Sequence, residues 1–200
     1  MFEVFRTYIL NKINHSIPLS DRDFVLIQQK FQPKKIRKKQ YLLQEGELSL
    51  HRCFVCKGCF RMFRVDDKGQ EHIFQFAIEN WWTGDRESLI SGKGSKYNIE
   101  ALEDSEILII TEEAMNELKE AVPAIKLMVQ YISQNNVIAT QNRIHAAISY
   151  SAEEKYLDFM KTYPDIFKRV PQQMIASYLG ITRETLSRIR KQTTFSNSKI

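Results

Sequence analysis

The sequence lacks several features that would have pointed elsewhere. No apolar run in its 200 residues approaches the ~20 that a membrane helix requires. The opening stretch MFEVFRTYILNKINHSIPLS carries Glu3 and Arg6 early, with no long apolar core and no small-residue cleavage site. It predicts a cytoplasmic chain with no membrane partner. Cysteine is scarce, and three cysteines cannot build a disulfide framework, which fits a reducing compartment. P-loop, dinucleotide fingerprint and Ser-His-Asp arrangement are all missing. The four histidines (His15, His51, His72, His145) have no nucleophile pattern near them. No catalytic set follows, so the chain reads as a non-enzyme.

The net charge of +5 is unevenly distributed. Residues 1–163 hold 22 basic and 22 acidic side chains, whereas residues 164–200 hold seven basic against two acidic. The whole positive excess therefore belongs to the last 37 residues. A positive field confined to one small module suits a polyanion partner for that module.

Glycine and proline divide the chain. Six of the seven glycines fall between Gly46 and Gly94, and all five prolines lie outside that stretch. Glycines at this spacing between β-rich runs read as turns of an antiparallel sandwich, jelly roll or barrel. The expected strands are IRKKQYLL, HRCFVC, FRMFRV, EHIFQFAI, YNIEAL and EILIIT, preceded by helical turns near 3–13 and 21–30. Val65–Gln70 reads as a hairpin turn around Gly69. In EHIFQFAI, period two puts His72, Phe74, Phe76 and Ile78 on one face. From Ala124 to Tyr163 there is neither glycine nor proline. Pro123 suits the first turn of a long helix there. Leu127, Tyr131, Ile138 and Ile148 form a stripe broken by amides such as Gln134 and Asn135, the pattern of a helix that packs against its own copy.

The sharpest signal is Gln172-Gln173-Met174-Ile175-Ala176-Ser177-Tyr178-Leu179-Gly180-Ile181-Thr182-Arg183-Glu184-Thr185-Leu186-Ser187-Arg188-Ile189. Ile175 and Leu179 pair at i, i+4, and Gly180 supplies a left-handed helix end. Thr182 is an N-cap for a second helix, with Leu186 and Ile189 turned inward. This spacing meets the requirements of a DNA-binding helix-turn-helix. Arg183, Glu184 and Arg188 face outward with chemistry suited to base edges: arginine to guanine O6 and N7, glutamate to cytosine N4–H. Gln172, Gln173, Thr182 and Thr185 are placed for phosphates.

Cys53-x-x-Cys56-x-x-Cys59 offers a competing reading as an iron–sulfur or zinc site, although a fourth ligand, His51 or His72, would be required. On a strand, Cys53 and Cys56 would face opposite sides, and buried apolar cysteine is the commoner case. The run Lys34-Lys35-Ile36-Arg37-Lys38-Lys39 reads as a solvated sheet entry.

Sheet domain, long helix and helix-turn-helix in this order resemble the Crp/Fnr family of bacterial transcription regulators. The resemblance covers about residues 20–192 and is most specific over Ile175–Arg188, with weaker landmarks at Leu43-Gln44-Glu45-Gly46-Glu47 and Ala101–Glu106. It implies an α+β protein: a cyclic-nucleotide-binding-like antiparallel β-roll or jelly roll over residues 1–122, a dimerisation helix over 123–150 and a helix-turn-helix domain over 151–192. A polar tail, 193–200, replaces most or all of the usual wing. The implied partners are double-stranded DNA, a second copy of the chain and RNA polymerase. Arg183, Glu184 and Arg188 match the family's base-reading positions. The family's effector pocket falls on Asp85, Arg86, Glu87, Ser88, Ser95 and Lys96. Ser95 stands where the family has a phosphate-holding arginine, which argues against cyclic AMP. The effector is therefore unnamed and no cofactor is required. Two alternatives remain open at this point: a small-molecule or interaction module with a vestigial helix-turn-helix, and a cysteine-based redox or metal sensor.

Overall fold

The computed structural model describes the backbone of residues 1–197 and the side chains of residues 1–192. Two helices lead, α1 (Phe2–Lys12) and α2 (Asp21–Lys30). Ser20 and Asp23 form a reciprocal capping box at the start of α2. Eight strands and one short helix follow: β1 (Gln32–Ile36), β2 (Tyr41–Leu43), β3 (Arg52–Lys57), β4 (Phe60–Val65), β5 (Glu71–Ala77), β6 (Trp82–Thr83), α3 (Arg86–Ser91), β7 (Asn98–Ala101) and β8 (Ser105–Ile110). They form two antiparallel four-stranded sheets, ordered β1-β8-β3-β6 and β2-β7-β4-β5. The remainder is helical: α4 (Glu112–Ala121), α5 (Pro123–Ser149), α6 (Ala152–Thr162), α7 (Pro164–Arg169), α8 (Gln172–Leu179) and α9 (Arg183–Asn197). The α+β class and the β-roll are thus as expected.

Three hydrophobic cores organise these layers. Ile107 and Ile109 of β8 point into the roll with Val55, Phe60 and Ile99. The alternate residues Leu108 and Ile110 point outward, where Phe5, Ile27, Met115 and Ile125 from the flanking helices cover them. Coverage on both faces explains the unbroken apolar runs Cys53–Cys56 in β3 and Ile107–Ile110 in β8. The third core lies on the outer side of the other sheet, where Phe63, Ile73 and Phe76 meet Phe159, Ile175, Leu186 and Ile189. Roll and C-terminal helices therefore share one core.

The strands differ from the sequence reading in two places. IRKKQYLL is not one strand. Its polar middle turns the chain, with Gln40 N–H donating to Arg37 O at 3.0 Å and Lys39 at φ +66°, so β1 and β2 fall in different sheets. In β5 the expected face of His72, Phe74, Phe76 and Ile78 is broken. The register slips between Met62 and Phe63, which pair with Gln75 and Ile73, leaving Phe74 as the extra residue of a β-bulge. Ile73 and Phe76 are buried instead, and His72 and Phe74 are exposed. The 66–70 hairpin turn forms as expected, with Gly69 at φ +78° and Asp66 N–H bonded to Gln70 O at 3.0 Å.

Residues 193–197 of the expected tail continue α9 as helix, and 198–200 lie outside the described residues. Among the described residues no strand follows α9.

Gly58 turns the chain between β3 and β4 at φ +114°, and a Cβ there would lie 2.0 Å from Ser105 Oγ. Gly58→Ala therefore combines a strained backbone with a clash against β8. It should cost at least about 1–3 kcal/mol, read as a lowered midpoint in urea unfolding.

Candidate nucleic-acid interface and its anchorage

The helix-turn-helix forms where its residues predict. Gly180 closes α8 at φ +67°, and Ile181 N–H reaches back to Ala176 O at 3.0 Å, the long bond of a left-handed helix end. Thr182 Oγ1 accepts from Thr185 N–H at 3.2 Å, capping α9. Ile175, Ala176, Leu186 and Ile189 are buried between the two helices and α6. Arg183, Glu184, Ser187 and Arg188 are exposed on the outer face of α9. A hydrogen bond from its own backbone N–H, then one from the Thr182 hydroxyl, holds the Glu184 carboxyl below the usual carboxylate range. Glu184 thus stays an acceptor at neutral pH.

The four residues expected at phosphates differ in availability. Gln173 and Thr182 are exposed, whereas Gln172 and Thr185 are half-buried. The Thr182 and Thr185 hydroxyls lie 3.1 Å apart and bond to each other. Gln172 Oε1 is buried with no hydrogen-bond partner.

What fixes this module against the roll is a set of residues that the sequence reading missed. Strand β5 is an edge strand. Ser177 of α8 sits on that edge, accepting from Ile73 N–H at 3.1 Å and donating to Glu71 O at 2.7 Å. Arg169, at the end of α7, spans two carboxylates of the roll: Glu79 at 2.6 Å and Glu103 at 2.8 Å. Glu79 also accepts from Gly58 N–H at 2.7 Å. Arg143 of α5 stacks 4.4 Å from the Tyr178 ring centre and donates to Phe74 O. Serine, arginine and glutamate are ordinary surface residues in a sequence. Only contacts between residues 35 to 106 positions apart reveal their roles.

The six expected effector residues do not line one cavity. Asp85 caps α3, accepting from Glu87 N–H at 2.9 Å and Ser88 N–H at 3.2 Å. Its other oxygen accepts from Ser95 Oγ at 2.8 Å. Asp85, Ser88 and Ser95 are all buried. Lys96 pairs with Glu87 at 2.7 Å on the surface, and Arg86 faces the α5 side of the roll. A carboxylate with its acceptors already used stands where an anionic phosphate would need donors, and no cation enters the cluster. These residues do not fit the phosphate of a cyclic nucleotide.

The cysteines do not converge either. Cys53 lies inside the roll, Cys56 under the N-terminal helices and Cys59 against the C-terminal helices. Burial pushes their thiols up to about 12, 11 and 12 respectively. Three protonated thiols in three separate cores form neither a metal site nor a reactive pair.

Residues 33–121 match the cyclic nucleotide-binding domain family. The regulatory protein HlyX of Actinobacillus pleuropneumoniae is 25% identical over 167 residues, covering 78% of this chain and 69% of that protein. The fumarate and nitrate reduction regulatory protein of Vibrio cholerae is 24% identical over 167 residues, covering 78% and 66%. The matched region thus spans about two thirds of these relatives. FixK2 from Bradyrhizobium japonicum shares the fold with a TM-score of 0.70 at 16% identity, covering 84% of this chain and 86% of its own. The catabolite activator protein of Thermus thermophilus does so with a TM-score of 0.56 at 19% identity, covering 93% and 88%.

The Arg169 cluster gives a pH-dependent anchorage. Burial raises the Glu79 carboxyl, but hydrogen bonds from Arg169 and Gly58 N–H outweigh it, so the group sits below its ordinary range. Its contribution is complete above the ordinary carboxylate pKa and is lost as pH falls through the depressed value. Arg169→Gln leaves the burial and removes the cation. The Glu79 carboxyl should then titrate higher than in the parent protein, measured by carbon NMR of labelled glutamate.

Proposed function

We propose that the chain is a member of the Crp/Fnr family of transcription regulators, a reading supported by its cyclic nucleotide-binding domain match, its similarity to HlyX and the fumarate and nitrate reduction regulatory protein, and its fold. As a DNA-binding transcription regulator, it reads its site with the outer face of α9. The observation that carries this is the division of α9 into a buried side, Leu186 and Ile189, and an exposed side holding Arg183, Glu184, Ser187 and Arg188. Arginine and glutamate in adjacent turns can discriminate guanine from cytosine along one strand of a major groove. Gln173 and Thr182, exposed at the start of α8 and α9, are positioned to meet the flanking phosphates. Gln172 and Thr185 would need rotamer changes to join them.

The protein works as a homodimer on a palindromic site. Ala124, Ile125 and Met128 bury the first turns of α5 against the roll. Beyond them Val137, Ile138, Ile144 and Ile148 are exposed, Ile148 to 80%. This row of bulky apolar side chains on a 27-residue helix supports packing against a second α5. Two recognition helices joined in this way bind two half-sites with a high effective concentration. Regulation does not run through cyclic AMP at the Asp85–Ser95 cluster, whose acceptors are used internally.

Arg188→Ala tests the base-reading role. Binding to a site enriched from genomic fragments should weaken by roughly 1–3 kcal/mol, with relaxed base preference at one position per half-site. Fluorescence anisotropy on the enriched site and on random DNA measures both. An equal loss on the two DNAs would reduce Arg188 to a phosphate charge.

A further inference from the structure

We propose that a planar aromatic acid binds in the cleft where the roll, α5 and the C-terminal helices meet, and that it is the effector of this regulator. The inference rests on the reading of the chain as a transcription regulator and adds the ligand class and its place. The cleft measures about 630 Å³, within the ~300–1,000 Å³ typical of small-molecule sites. It is distinct from the Asp85–Ser95 cluster, none of whose buried members lines it.

The chemistry of the walls selects the ligand. Trp81 and Trp82 contribute rings from the roll, and Phe159, Tyr163 and Tyr178 contribute rings from the C-terminal helices. These rings already meet across the junction, with Trp81 and Tyr163 in edge contact at 5.7 Å and Phe76 and Tyr178 at 5.4 Å. A flat aromatic body can add to such a set by stacking or edge contact. The charge on the walls is all of one sign. Lys12, Arg86 and Arg143 line the cleft, and no aspartate or glutamate does. Arg143 is used in stacking on Tyr178 and bonding to Phe74 O. Among the described residues, Lys12 and Arg86 have no ion pair or hydrogen bond, and Glu112 acts on Arg86 only at a distance. Two uncommitted cations beside a ring-lined cleft are suited to a carboxylate carried on an aromatic ring, and the Arg86 guanidinium can hold it in bidentate fashion.

The cleft also stays open in a dimer. Ile132, Asn136, Ala139 and Arg143 face it, at the three- and four-residue steps of one helix face. Val137, Ile138, Ile144 and Ile148 project from the other side of α5. A second copy packed on that side leaves the cleft free. Because its walls come from both the roll and the DNA-binding helices, an occupied cleft favours one placement of these parts over others. Such a differential affinity is what an effector needs to shift an equilibrium.

Calorimetric titration of the full chain without DNA tests the proposal, using indole-3-carboxylate and 4-hydroxybenzoate as probes and their neutral amides as controls. At least one acid should bind saturably, one per chain, with its amide at least tenfold weaker. A Lys12→Gln, Arg86→Gln double variant should weaken that acid at least tenfold with an unchanged melting temperature. Failure of both acids to saturate would overturn the proposal. So would equal binding of acid and amide by the parent protein, a comparison that does not depend on the variant folding. The titration contains no DNA, so its failure leaves DNA reading standing, and a failure of DNA reading leaves the site standing.

Discussion

An edge strand must have its open backbone groups covered, and in this protein the cover for β5 is the first helix of the helix-turn-helix. Ser177 accepts from Ile73 N–H and donates to Glu71 O, meeting two backbone groups that would otherwise invite another strand. The placement of the helix-turn-helix follows from this pairing. With α8 on the β5 edge, Phe63, Ile73 and Phe76 close a core with Ile175, Leu186 and Ile189. Arg169 then reaches Glu79 and Glu103, and Arg143 reaches Tyr178. The outer face of α9 is left to solvent because every apolar position of the motif is used on the inner one.

Charge is distributed in keeping with this arrangement. Residues 1–163 are electrically balanced, and the excess lies beyond them. One member of that excess, Arg169, is spent on anchorage to roll carboxylates. Arg183 and Arg188 stay exposed beside Glu184. On the proposed reading, net positive charge would draw the module to DNA, while side-chain geometry on α9 would decide which DNA it prefers.

Much of this was legible in the sequence, and for identifiable reasons. Gly180, Thr182 and the Ile175–Ile189 spacing encode the helix-turn-helix locally, because caps and i, i+4 pairs depend on near neighbours. Pro123 and the long stretch without glycine marked α5 in the same way. The strands were legible as runs but not in register: a bulge at Phe74 depends on the partner strand β4, and no period within EHIFQFAI announces it. The split of IRKKQYLL was carried by four consecutive polar residues, Arg37–Gln40, that also suit an exposed strand. The expected effector residues follow from position in the chain alone. The buried hydrogen bonds of Asp85 are a property of the folded loop. Ser177, Arg169 and Arg143 were invisible because their partners lie far away in sequence. The three cysteines share one motif in sequence and three cores in space, since alternate strand residues and a glycine turn send each to a different side.

The central claim is that two copies of this chain, joined through α5, place two α9 helices on DNA. Selection of genomic fragments by the purified full chain at near-physiological salt tests it most directly. The account predicts enrichment of inverted repeats whose half-site centres lie about one helical turn, ~10–10.5 base pairs, or a multiple of it apart. Enrichment of single half-sites without a repeat, or of no sequence at all, would contradict it.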